Sequence, residues 1–272
     1  MIYDRIFIDP ESDRVILDAY ASSDTQDNPK SRDAVLILPG GGYGFCSKRE
    51  AEPIALAFLS RGINAFVLYY RVGEEGDVYP RQLIDASRAM LYIRQNAEKY
   101  GIDPGRVFVL GFSAGGHLAG TLAYANGDPD VLSALGVTKE ATRPNGAILC
   151  YPVVTAKLPT HEGSFTRLSG KPFAELTDSE RELYTLENKI TPDSPPTFIW
   201  HTAQDKAVPP FGSLALASEL VRNGVLTTLR LYPTGPHGLS LANRITRTDN
   251  IYDNTIAARW IDEAVEFLNL IK

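Results

Sequence analysis

The 272 residues predict an α/β fold, a mostly parallel central sheet with helices on both faces, and three observations carry that prediction. Short runs of β-forming residues, at 34–38, 63–70, 107–110, 146–151, 197–202 and 227–232, alternate with segments whose apolar residues recur at helical spacing. Several of the runs are apolar at every position, as in strands covered on both faces. The third observation is the break at Gly111-Phe-Ser-Ala-Gly115, where an apolar strand pattern turns abruptly into a small-residue helix. With 44% hydrophobic residues the chain can bury one large core, so a single domain over 1–272 is expected.

In chain order, residues 2–9 and 13–20 alternate apolar with polar around Pro10-Glu-Ser-Asp13, the pattern of an antiparallel hairpin at a sheet edge. Residues 21–32 are polar and read as a loop. The run at 34–38 is a buried strand that ends in Pro39-Gly-Gly-Gly-Tyr43, and a helix over 47–60 leads to the strand at 63–70. Leu83, Ala86, Met90, Ile93 and Ala97 then mark the core face of a helix, which Gly101-Ile-Asp-Pro-Gly105 breaks before the central strand. Ala114, Leu118, Ala119, Leu122 and Ala123 line the helix after the glycine-flanked serine. The strand at 146–151 is followed by a polar stretch of about forty residues, 155–196, with one helix expected near 173–186, too long for a simple connection and read as a cap-like insertion. The alternation resumes at 197–202, with a helix over 210–222, a strand at 227–232 and a closing helix whose buried face is expected at Ile256, Trp260, Ala264, Phe267 and Ile271.

Charge and cysteine usage narrow the function classes. Twenty-seven basic against 33 acidic residues give a net charge of −6 without a basic stripe, so no nucleic-acid partner is expected. The N-terminal residues carry acids where a signal peptide would be apolar, and no run reaches membrane-spanning length, so a cytoplasmic protein without a membrane partner is expected. Cys46 and Cys150 sit in apolar or glycine-rich surroundings and read as free buried thiols. The oligomeric state stays open, a homodimer included.

The chemistry is read from the turns. A strand–turn–helix around Ser113 would hold the serine in strained backbone with its hydroxyl above the sheet edge, while Gly111 and Gly115 leave room for strand and helix to pack closely. Three successive glycines at 40–42 let backbone N–H groups face a bound atom, as an oxyanion site requires; no P-loop lysine follows, nor is the spacing that of a dinucleotide loop. A serine hydroxyl needs a base, and the four histidines supply the choice. His117 reads as a hydrogen-bonded core residue, His201 as a satisfied interior residue within a strand, and His161 as a solvated loop residue able to touch substrate. His237, in Gly235-Pro-His-Gly238 just past a strand, stands on a flexible loop that can swing its imidazole over Ser113. Asp205, directly after a strand, is the carboxylate, whereas Asp85, Asp249 and Asp253 fall on stretches that read as solvated. No pair of histidines has metal-ligand spacing, so neither metal nor cofactor is expected.

Together, Pro39-Gly-Gly-Gly-Tyr43, Gly101-Ile-Asp-Pro, the stretch from Gly111 to Ala119, His201-Thr-Ala-Gln-Asp205 with Val208-Pro209, and Gly235-Pro-His-Gly238 resemble the α/β-hydrolase esterases, in particular the carbohydrate acetyl esterase branch known as acetyl xylan esterase-like. The resemblance runs from Ala34 to the C-terminus. It implies the α/β-hydrolase fold, Ser113 as nucleophile, His237 as base, Asp205 as orienting acid, and Gly41, Gly42 and Ala114 as oxyanion donors. Pro39 stands where many relatives have histidine. The expected substrate is a small ester, an acetylated sugar above all, with a small acyl pocket beside Tyr43 and Tyr151 and with His161 as a further contact. A general short-chain esterase, a prolyl-type peptidase and a non-catalytic binding protein on the same scaffold are the alternatives.

Overall fold

An antiparallel pair, β1 (Ile2–Asp9) and β2 (Ser12–Ala21), opens the chain, with Ile6 opposite Leu17 and an irregularity between Phe7 and Asp9. In the computed structural model the described residues are 1–23, 31–73, 76–125, 127–157, 159–249 and 253–271; most of the loop read at 21–32 lies outside them. Next come β3 (Arg32–Leu38), α1 (Glu52–Leu59), β4 (Asn64–Tyr69), α2 (Arg81–Gln95), α3 (Ala97–Tyr100), β5 (Ile102–Phe112) and α4 (Ala114–Tyr124). The second half runs through α5 (Pro129–Leu135), α6 (Lys139–Thr142), β6 (Ala147–Cys150), α7 (Glu162–Ser169), α8 (Asp178–Tyr184), β7 (Thr197–Thr202), α9 (Phe211–Arg222), β8 (Thr227–Tyr232) and α10 (Trp260–Leu268).

Among the described residues these strands form one eight-stranded sheet in the order β1-β2-β4-β3-β5-β6-β7-β8. β2 lies antiparallel to β4, and every pairing from β4 through to β8 is parallel. Because side chains alternate across a strand, β3 sends Leu36 and Leu38 to one face and Val35 and Ile37 to the other, and each face carries its own core. One face is covered by α2, α4 and α9 with Phe165, Leu168, Phe173 and Leu186 of the insertion; α1 and α10 cover the other, with Phe58, Trp260 and Phe267 at its centre. This is the α/β-hydrolase arrangement.

Several local expectations change. The central strand begins at Ile102, directly after Gly101 closes α3 in a left-handed conformation, so the Gly101–Gly105 stretch starts the strand through a register shift against β3. The helix expected over 47–60 is a 3₁₀ turn, Lys48–Glu50, followed by α1, whose second residue is Pro53. Among its described residues the insertion holds two α-helices, α7 and α8, in place of one. Asp178 starts α8 because Thr177 and Glu180 form a reciprocal capping box, while Phe173 and Leu176 pack inward and Leu183 faces solvent. On α10 the buried face is Trp260, Ile261, Ala264, Phe267 and Leu268; Ile256 is exposed and Ile271 only partly covered. Cys150 is buried and Cys46 partly so, both free, and burial pushes the Cys46 thiol up to about 12. No helix among the described residues is long and apolar enough to cross a membrane.

Candidate active site

The centre of the sheet ends at Phe112, and the chain turns there into α4. Ser113 takes φ +53° and ψ −117°, a conformation unusual for a residue with a side chain, and is held in it by its N–H to the Cys150 carbonyl (3.0 Å) and by its own carbonyl, which accepts from Val153 (3.0 Å) and His117 (3.1 Å). A side chain at Gly111 would overlap the Gly115 carbonyl, and one at Gly115 the carbonyls of Leu38 and Pro39, so strand, turn and helix close only with glycine at both places.

Three loops at the carboxyl ends of the strands converge on this turn. Ser113 Oγ lies 2.8 Å from His237 Nε2, and His237 Nδ1 lies 2.6 Å from Asp205 Oδ2. An ionised carboxylate only accepts, so the proton on Nδ1 belongs to the bond with Asp205, leaving Nε2 to accept from the serine hydroxyl. Burial alone would raise the Asp205 pKa. Donors from His201, His237 and the Val208 N–H outweigh it and hold the carboxyl well below the usual carboxylate range.

His201 is buried, as a strand interior requires, and it reaches the same carboxylate. Its Nε2 lies 3.1 Å from Asp205 Oδ2 and 3.0 Å from the Val208 carbonyl, both acceptors, while its Nδ1 accepts from the Ser213 hydroxyl at 2.8 Å. The N–H groups of Ala207 and Val208 close on Asp205 Oδ1 at 3.0 and 2.9 Å, so the acid is fixed from four directions. Of the other carboxylates considered, Asp85 is fully buried and paired with Arg71 (2.8 Å), because α2 carries it inward beneath β4; Asp249 and Asp253 are exposed.

The loop bearing His237 is tied to the rest of the molecule at several points. The Thr202 hydroxyl donates to the Gly235 carbonyl (2.8 Å), Arg49 Nη2 to the Gly238 carbonyl (3.1 Å), and Trp260 Nε1 to the Ser240 carbonyl (2.9 Å). Across the site, the loop from Pro39 to Tyr43 is equally held. The Pro39 carbonyl accepts from Tyr70 Oη (2.6 Å), the Gly40 N–H donates to Glu50 Oε2 (2.9 Å), and Ser47 N–H to the Gly40 carbonyl (2.9 Å), so the bracing does not depend on a histidine at position 39. Gly41, at φ +132°, passes so close to the Phe45 carbonyl that no side chain fits there. Gly41 and Gly42 line one cavity with Ser113 and His237, and Ala114 follows the serine at the start of α4.

That cavity, about 530 Å³, is also lined by Gly44, Phe45, Ser47, Arg49, Glu50, His161, Arg167 and Gly238. His161 stands at its side, its Nδ1 2.8 Å from the Ser164 hydroxyl, and burial with the nearby His237 and Arg167 charges lowers its pKa. The two tyrosines expected beside an acyl pocket line no part of this cavity. Positive φ at both residues (60° and 37°) turns their side chains under the loops: Tyr43 Oη lies 2.8 Å from His117 Nδ1, and Tyr151 Oη donates to Glu50 Oε1 at 2.6 Å. His117 is the core residue its position suggests, donating from Nε2 to the Tyr184 carbonyl (2.7 Å), with its pKa lowered to about 4 by burial. Glu50, Arg49, Phe45, Ser47 and Arg167 are among the lining residues that sequence reasoning missed. A Lys-Arg-Glu turn looks like solvated charge, and nothing local in the sequence shows that its glutamate points inward; the ring of Phe45, 61% exposed on a loop of glycines, was the more visible signal.

Comparison with known proteins agrees with this architecture. The family described as BD-FAE matches residues 17–220. An endo-1,4-β-xylanase B of Butyrivibrio fibrisolvens is 39% identical over 219 residues, 78% of this chain and 33% of its own length. An acetylxylan esterase of Xylanibacter ruminicola is 29% identical over 216 residues, 78% of this chain and 42% of its own length. The chain thus spans between a third and less than half of the length of these curated relatives. Among solved structures, an acetyl ester-xyloside bifunctional hydrolase from Caldicellulosiruptor lactoaceticus is 35% identical and superposes with a TM-score of 0.80, covering 94% of this chain and 88% of that one.

Proposed function

The chain belongs to the BD-FAE family of α/β-hydrolases, and from that membership we propose that it is a serine carboxylic ester hydrolase that deacetylates small O-acetylated carbohydrates through an acyl-enzyme. The observation that carries the mechanism is the continuous line of hydrogen bonds from Ser113 Oγ through His237 to Asp205, opening on the cavity that Gly41 and Gly42 also line.

In this reading Ser113 Oγ attacks the ester carbonyl carbon as its proton passes to His237 Nε2. The carbonyl electrons move onto oxygen, and the N–H groups of Gly41, Gly42 and Ala114 receive that oxyanion. Collapse breaks the bond to the alcohol oxygen, which leaves with the proton from His237, and the acyl group stays on Ser113. Water then attacks the acyl carbon, giving its proton to His237; the second collapse returns that proton to Ser113 Oγ and releases the acid. Asp205 remains ionised throughout, because its donors stabilise the charged form at both stages.

The substrate class is supported by the cavity wall. Glycines and charged or polar side chains make up most of it, and Phe45 is the one large apolar side chain in it. A long acyl chain gains about 0.8 kcal/mol per buried methylene and needs a continuous apolar surface to collect that gain. A wall with one ring and no continuous run of apolar side chains suits a short acyl group, and its charged and hydroxyl side chains can bond a sugar alcohol. The acetylxylan esterase and the acetyl ester-xyloside hydrolase among the similar proteins favour the same class. The test is an acyl series on one alcohol, with acetylated xylo-oligosaccharides in parallel. The expected result is a steep fall in kcat/KM from acetyl through butyryl to octanoyl, with acetate released from the sugars. Equal or faster turnover of octanoyl esters without any acetate from sugars would contradict it.

A further inference from the structure

Glu50 is a buried carboxylate, 4% exposed, that no step of the proposed reaction uses, yet it lines the cavity beside Ser113 and His237. Its two oxygens accept from two different loops. Oε2 takes the Gly40 N–H at 2.9 Å, immediately before the glycines proposed to receive the oxyanion. Oε1 takes the Tyr151 hydroxyl at 2.6 Å, and the same hydroxyl oxygen accepts the Ser240 N–H at 2.9 Å from the loop that carries His237. The Tyr151 ring meets the His237 imidazole edge to face, with centroids 5.0 Å apart. From the same 3₁₀ turn, Arg49 donates to the Gly238 and Thr246 carbonyls, and its own carbonyl accepts from the Ser240 hydroxyl at 2.6 Å. One short turn therefore grips both sides of the cavity, at positions 10 residues before Glu50 and about 190 after it.

Resting on the mechanism proposed above, we propose that Glu50 is a positioning residue that locks the oxyanion loop to the base loop, so that the Gly41 and Gly42 donors and the His237 imidazole are held in one fixed relation to Ser113. The residue type follows from the donors. Gly40 N–H and Tyr151 O–H both need an acceptor, and the Tyr151 oxygen is already occupied by Ser240 N–H; an ionised carboxylate, which only accepts, satisfies both at once. A glutamine offers only one acceptor oxygen; with that oxygen on the Gly40 N–H, its NH₂ faces the Tyr151 hydroxyl and leaves the Tyr151 hydrogen without an acceptor. An aspartate keeps the charge but is one methylene too short to span both loops. Burial pushes the Glu50 pKa up, and the Tyr151 and Gly40 donors, with the His237 and Arg49 charges, oppose that rise.

The experiment measures kcat, KM and melting temperature for wild type, Glu50→Gln, Glu50→Asp, Tyr151→Phe and the Glu50→Gln/Tyr151→Phe double variant on a short-chain ester, with Ser113→Ala alongside. Since a misplacement of about 1 Å costs on the order of 100-fold in rate, Glu50→Gln should lower kcat by roughly 10- to 100-fold with KM within about threefold. Glu50→Asp should recover part of that loss. The double variant should be little worse than Glu50→Gln alone, because both changes cut the same link. A kcat for Glu50→Gln within about twofold of wild type, or losses that simply multiply in the double variant, would overturn the proposal. If Glu50→Gln shows no cooperative melting, the test passes to Glu50→Asp and Tyr151→Phe, and unchanged kcat in both overturns it. Turnover by Ser113→Ala at the wild-type rate would instead remove the serine mechanism, whatever Glu50 does.

Discussion

The floor and the cover of the cavity are built to different standards. Beneath it, Ser113, Glu50 and Asp205 are buried and joined to their partners by bonds of 2.6–3.1 Å, several of them to a charged group, the kind that resists displacement. Above it, α7 presents Arg167 from an exposed position, and its link to the floor is one guanidinium contact with the Gly42 carbonyl at 3.3 Å. The cover is nonetheless seated on core packing: Phe165 and Leu168 of α7 join the same apolar cluster as α4, and His117 stands between the two regions, bonded to Tyr43 below and to the Tyr184 carbonyl above. The difference teaches that, on the reading proposed above, the reaction would be carried by the densely bonded floor and substrate contacts by the more exposed side chains of the cover.

The largest break in that comparison is at the floor. Ser113→Ala should abolish ester hydrolysis, measured by acid release, while leaving the melting temperature nearly unchanged, since the methyl side chain suits the same turn and only one hydroxyl contact is lost. Asp205→Asn should lower kcat by on the order of 10⁴, because an amide cannot hold the Nδ1–H tautomer of His237, and His237→Ala should be comparably damaging in the same assay.

His117 tests the joint between the two regions through pH. Its pKa is about 4 in the fold against 6.5 ordinarily, so between those values the unfolded chain binds the extra proton. This residue therefore lowers stability as pH falls from 6.5 toward 4 and has no such effect above that window. Urea unfolding at pH 7 and pH 4.5 should show a smaller loss for His117→Gln, which can accept from Tyr43 and donate to Tyr184 without titrating, than for wild type. Equal losses would separate His117 from the acid sensitivity.

The smallest effects belong to the cover. Arg167→Ala and His161→Ala should raise KM for an acetylated oligosaccharide by a few-fold, roughly 1 kcal/mol or less, with kcat little changed. A loss of kcat as large as that of the floor variants would erase the distinction between the two regions.

The same contrast explains what was legible in the sequence. The turn around Ser113 leaves a local trace because two close approaches exclude every side chain at 111 and 115, and a fold that places strand ends together then brings Asp205 and His237 to the serine. The capping signal at Thr177 with Glu180 lies inside the helix read at 173–186 and sets the start of α8 at Asp178, whereas α5, despite its Asp128-Pro129 cap, and α7 sit in polar surroundings and left no helical pattern to read. Glu50, Tyr43 and Tyr151 could not be placed from sequence. Their orientation depends on positive φ at single residues and on partners 101 and 74 positions away in the chain, which no periodicity records.

The central claim, that the floor activates one serine, is tested most directly by intact-protein mass spectrometry after exposure to a serine-reactive phosphonate ester, followed by peptide mapping. One adduct per chain on Ser113, absent from Ser113→Ala and formed far more slowly by Asp205→Asn, is the predicted result. Labelling at another residue, or continued labelling and turnover in Ser113→Ala, would contradict it.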